Sequence, residues 1–126
     1  MQSFLLVGAG GALGAMARYG FSSVAGRFWP SPFPYATLLI NVIGSLCMGL
    51  LVGVLARTLP PFQNEIRLFV AVGVLGGFTT FSAFSLDTIT LIERGQLGEV
   101  AGYVLLSVVV SVGALYAGLL LTRIGA

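Results

Sequence analysis

The sequence has no histidine and no lysine, a single cysteine, and only ten charged side chains in 126 residues: six arginines and four acids. Each shortage excludes something. A water-facing domain carries about a quarter charged residues. Here the share is 8%, against 57% hydrophobic residues, which is too little charge to solvate a surface of this size. The solvent for most of the chain is therefore lipid. With no histidine, and with Glu65, Asp87, Glu93 and Glu99 all at segment ends, no buried acid–base or metal constellation can be assembled, which excludes an enzyme. The lone Cys47 lies in an apolar run, so an intramolecular disulfide is excluded and packing is its expected role. The opening MQSFLLVGAGGALGA lacks a basic n-region, and no cleavable signal is expected from it.

The few charges divide the chain. Residues 2–17 are uncharged, Arg18 interrupts, and 19–26 continue the apolar pattern. Arg27 and the PSPFP stretch at 30–34 read as a loop. Uncharged runs then occupy 35–56, 68–86 and 100–122, separated by the polar stretches RTLPPFQNE and ERGQLGE. About 20 helical residues at ~1.5 Å rise cross the ~30 Å hydrocarbon core, so each of these three runs is long enough. The first segment also suffices if Arg18 lies near an interface or a watery vestibule. The expectation is an all-α membrane protein with one domain over 1–126 and helices at about 3–25, 35–57, 66–93 (broken near 76–80) and 98–123.

Four spans put the N-terminus, the 57–67 loop and the C-terminus on one side, with Arg57, Arg67 and Arg123. The other side holds Arg18, Arg27 and Arg94. Arginine sets insertion direction, and a balanced count predicts that the chain inserts both ways, so that two opposite copies pair as an antiparallel homodimer. Small residues spaced by four support close helix packing: Gly10 and Gly14, the row Asn41, Ser45, Gly49 and Gly53, and Gly73 and Gly77.

The stretch GGFTTFSAFS at 76–85 falls in the middle of the third span. Adjacent glycines weaken a helix interior, and two readings are open. Either Gly76-Gly77 breaks the helix and frees carbonyls that could hold a small cation, or the pair lets another helix approach. Phe81 and Phe84 share a helix face, and Ser82 and Ser85 repeat that spacing. Other spans add Thr37, Asn41 and the stripe Tyr103, Ser107, Ser111. Neutral amide and hydroxyl donors beside the positive edges of phenyl rings suit a small anion. Such groups replace hydration without the fixed cation that would trap the ion.

These residues carry a resemblance. GGFTTFSAFS, with TLLIN at 37–41, NVIGS at 41–45 and ERG at 93–95, resembles the Fluc (CrcB) fluoride channels of bacteria over the whole chain. The resemblance implies a dual-topology antiparallel homodimer in the bacterial inner membrane, passive fluoride export that protects the cell from fluoride, and a central sodium ion that is not transported. It further implies that Phe81 and Phe84 line the pore with Asn41, that Tyr103, Ser107 and Ser111 form a polar track, and that Arg18 stands in a vestibule. Gly76 and Thr79 would give backbone oxygens to sodium. Ala83 departs from the family pattern, where a hydroxyl residue is frequent. The expected partners are fluoride, sodium, a second copy and the lipid bilayer, with no nucleic acid. Two alternatives remain: a small proton-coupled drug or cation exporter, which needs a carboxylate inside the membrane, and a non-conducting membrane assembly subunit.

Overall fold

The computed structural model describes residues 1–31 and 33–124. Pro32 of the expected 30–34 loop, and residues 125–126 of the expected domain, lie outside the described residues. Helix α1 spans Gln2–Phe28 and α2 spans Tyr35–Thr58. The third membrane span, Gln63–Glu93, is built from two helices. Its first half, α3, runs through Gln63–Ile66, Arg67–Leu75 and Gly76–Phe78, the middle piece wound wider as a π-helix. Its second half, α4, is Phe81–Glu93, and α5 is Leu97–Ile124. Four spans are long and apolar enough to cross a membrane, and no strand occurs among the described residues.

Two loops have clear local causes. Gly95 adopts φ 76° after α4, with its N–H bonded to Ile92 O and that of Gln96 to Leu91 O. This left-handed turn satisfies the last carbonyls of the helix, and glycine adopts it without steric cost. Pro60 and Pro61 follow α2, where they cannot continue the helix.

Packing follows glycine. Helices α1 and α3 lie side by side in the same direction. A Cβ on Gly14 would collide with the Val74 carbonyl oxygen and lie 2.8 Å from Phe78 N, and one on Gly73 would lie 2.8 Å from Gly10 Cα. Helices α2 and α5 pair in the same way. A Cβ on Gly118 would sit 2.7 Å from both Leu46 O and Leu50 N, and one on Gly49 would strike the Leu115 carbonyl. Lipid gives apolar helices little reason to associate, so backbone approach at small residues is what holds such pairs. The outward faces stay apolar, as at Phe4, Leu105, Val109 and Val112.

The structure separates the two readings of the glycine pair. Gly76 is helical at φ −63°, ψ −35°. A Cβ on Gly77 would stand 2.6 Å from Gly11 O, so Gly77 serves contact with α1. The interruption comes two residues later, at Thr79 (ψ 156°) and Thr80 (φ −150°, ψ 122°). β-Branched residues tolerate extended backbone well, which puts the break on the threonines and not on the glycines.

These contacts predict that Gly14→Ala costs about 1–3 kcal/mol by overpacking, seen as a lower melting temperature in detergent. Gly8→Ala, with nothing within 4 Å of its added Cβ, should melt no lower than the unaltered protein, since alanine is the better helix former. Equal melting of both variants would remove the α1–α3 contact as a source of stability.

Candidate functional site

A helix that stops inside a membrane leaves backbone groups that lipid cannot satisfy. Here side chains from two neighbouring helices take up part of that demand. Asn41 on α2 grips one residue at both polar ends: its Nδ2 donates to Thr80 O at 3.0 Å, and its Oδ1 accepts from Thr80 N at 2.8 Å. Arg18 on α1 donates through Nε to Gly77 O at 3.1 Å. Thr79 turns back on α3, its N–H and its hydroxyl both donating to Leu75 O at 3.0 Å. Thr80 starts α4 as its N-cap, its Oγ1 accepting from Ala83 N at 3.1 Å.

The same bonds decide which carbonyls are left over. In a continuous helix, Gly76 O would accept from Thr80 N and Thr79 O from Ala83 N. Both donors are diverted, one to Asn41 Oδ1 and the other to Thr80 Oγ1. Gly77 O and Thr80 O, by contrast, each receive a side-chain donor. Gly76 is exposed on the surface of the chain. No group of three His, Cys, Asp or Glu side chains fit to hold a metal occurs among the described residues. A cation at the break would thus rest on backbone oxygens, and the Gly76 and Thr79 carbonyls fit that role.

Next to the break, a groove of about 340 Å³ is lined from α2 by Asn41, Gly44, Ser45 and Met48, from the α3–α4 segment by Thr79, Thr80, Phe81 and Phe84, and from α5 by Ser107, Val108, Ser111 and Leu115. Ser107 and Ser111 stand one turn apart, and their buried hydroxyls have no hydrogen-bond partner. The phenyl rings of Phe81 and Phe84 lie 5.5 Å apart at 46°. The groove is open-sided, and Phe81 is 78% exposed although it sits beside the centre of its span.

Beyond Phe84 the lining changes character. Tyr103 is fully buried, its ring 5.1 Å from Phe84 and edge-on to Phe33 at 5.6 Å. Its hydroxyl donates to Asp87 Oδ2 at 3.1 Å, with the Thr37 hydroxyl alongside. A second cavity, of about 310 Å³, takes in Asp87 together with Ser31, Thr90 and Arg94. Of the residues singled out in the sequence, the structure thus gathers Asn41, Thr79, Phe81, Phe84, Ser107 and Ser111 into one groove. Thr37 and Tyr103 form a neighbouring cluster. Ser82 is exposed outside the groove, its Oγ 3.3 Å from Thr80 Oγ1. Arg18 approaches the break from α1.

Sequence reasoning missed Thr80 and undervalued Asp87. Thr80 stands three residues before Ala83 at the start of an apolar run, which is an N-cap position. Asp87 follows Phe84 by three residues and so shares its face; its assignment to a segment end concealed this.

Comparison with known proteins adds a family. A family model described as CrcB-like protein, Camphor Resistance (CrcB), matches residues 5–119. The Fluoride-specific ion channel FluC of Rhodospirillum centenum is 50% identical over 123 residues, covering 98% of this chain and 97% of that protein. The proteins of the same name from Agrobacterium fabrum and Paracoccus denitrificans are 50% and 51% identical over 123 and 122 residues. They cover 98% and 97% of this chain, and 98% and 95% of their own length.

The Asn41 clamp makes its own prediction. Asn41→Leu keeps similar bulk but leaves the Thr80 N–H without its partner, a cost of about 2 kcal/mol. Hydrogen exchange at the Thr80 amide should accelerate, and the melting temperature should fall. Unchanged protection at Thr80 would show that something else holds the break.

Proposed function

The chain belongs to the CrcB family, and from that premise we propose that it is a fluoride channel of the bacterial cell membrane, a passive conductor and not an enzyme. The observation that carries the reading is the groove at the break, where hydroxyls without partners and phenyl rings line a path that bears no fixed cation. A fluoride ion entering it exchanges water for the Ser107 and Ser111 hydroxyls and for the positive edges of Phe81 and Phe84. Neutral donors hold a small anion weakly enough to release it, so flux follows the electrochemical gradient and relieves the cell of fluoride. The exporter alternative rests on Asp87 alone, and that carboxylate is engaged by Tyr103.

The working unit in this proposal is an antiparallel homodimer. The open side of the groove and the exposed Phe81 support it. An inverted second copy would close the groove and bring Gly76 and Thr79 of both chains around one axis. Backbone oxygens of this pair would then hold a sodium ion that is structural and not transported; its charge would join the two breaks electrostatically. Thr37, Tyr103 and Asp87 would form one end of each path, with Ser82 near the junction of the copies.

Replacing Phe81 or Phe84 by Ile keeps most of the apolar volume but removes the ring edge. Fluoride efflux from liposomes should fall roughly tenfold, the loss expected for about 1.4 kcal/mol of ion stabilisation, while the dimer survives on a sizing column. Fluoride flux equal to that of the unaltered protein in both variants would return the rings to a packing role. The cation is tested separately: exchange of sodium for N-methylglucamine should lower both the melting temperature and the flux. Indifference to that exchange would count against a cation at Gly76 and Thr79.

A further inference from the structure

Arg18 does not line the groove described above, yet it makes one of the contacts that define the break. It is half-buried on α1, and its Nε–H reaches Gly77 O at 3.1 Å. Gly77 O lies one peptide unit from Gly76 O, a carbonyl whose helical donor is diverted to Asn41. We infer that Arg18 is a positioning residue that withholds the Gly77 carbonyl from the cation site and, through its charge, limits how tightly a cation is held there. The inference rests on the cation site proposed above and adds a means of tuning it.

The physical argument has two parts. First, a helix end presents several orphan carbonyls at once, and an unrestrained cluster of them would offer a cation more ligands than Gly76 and Thr79. Arg18 occupies Gly77 O and Asn41 occupies Thr80 O, so Gly77 O is taken out of the set that a cation at Gly76 and Thr79 could draw on. Second, a guanidinium stays charged at any ordinary pH. The acids nearest along this span, Glu65 and Asp87, are more than two helical turns from Gly77. Two like charges within about 8 Å at an effective dielectric of ~20 repel strongly enough to change a binding constant tenfold or more. The site is therefore held at lower affinity than its oxygens alone would give, and the Gly77 carbonyl is kept from joining its ligands.

Sodium-dependent stabilisation of the purified protein in detergent tests this without any conduction. The melting temperature is titrated with sodium chloride, with N-methylglucamine chloride keeping ionic strength constant, for the unaltered protein, Arg18→Gln and Arg18→Lys. The inference expects the sodium midpoint of Arg18→Gln to drop about tenfold, and that of Arg18→Lys, which keeps the charge, to stay within about threefold of the unaltered value. Should Arg18→Gln fail to accumulate, mixed dimers of unaltered and Arg18→Gln chains are expected to show an intermediate drop. A midpoint unmoved in Arg18→Gln, or unmoved in the mixed dimer, would overturn the inference while leaving the cation site in place. No response to sodium in the unaltered protein would remove the cation site and the inference with it.

Discussion

A backbone inside lipid must find its own hydrogen-bond partners, and the Asn41 amide meets that requirement where the third span stops being helical. Without the two bonds from Asn41 to Thr80, the segment would be driven toward a continuous helix, with Thr80 N returned to Gly76 O. The rest of the site follows from that clamp. The second half-helix begins at Phe81, so the phenyl pair is presented on a new axis. The carbonyls of Gly76 and Thr79 lose their usual donors. The groove between α2 and α5 gains a wall made of Thr79 and Thr80.

The rest of the fold holds the clamp in register. Asn41 can reach Thr80 because a Cβ on Gly44 would already touch the Thr79 side chain, so α2 and the break are in direct contact. Gly49 and Gly118 draw α5 against α2, which sets Ser107 and Ser111 opposite the rings. Gly14 and Gly77 draw α1 against α3, which brings Arg18 to Gly77 O. Close backbone approach at a few glycines therefore serves chemistry as well as packing: it sets donors across a groove with no charged group of its own.

Much of this was legible beforehand, for physical reasons. Four spans follow from charge spacing, because a charge at the bilayer centre is costly. The glycine rows announced helix contacts, and the residues at 76–85 marked the site. Position was harder. Glycine's low helix propensity drew attention to Gly76-Gly77, but propensity is a weak prior, and contact with α1 keeps Gly77 helical while the threonines take the extended conformation. The use of both ends of the Asn41 amide could not be read from spacing, since it depends on where α2 passes α4. Nor could the hydrogen bond from Tyr103 to the half-buried Asp87, which arises only when α5 folds back over α4.

The central claim is that the groove passes a small anion down its gradient through neutral donors. Its most direct test is efflux from potassium-loaded liposomes that contain this protein alone, followed with fluoride and chloride electrodes before and after addition of a potassium ionophore. The account predicts rapid fluoride release that awaits the ionophore, because the conducted ion carries uncompensated charge, and far slower chloride release under the same conditions. Fluoride release that needs no ionophore and instead requires an opposing proton gradient, or no fluoride release at all, would contradict it.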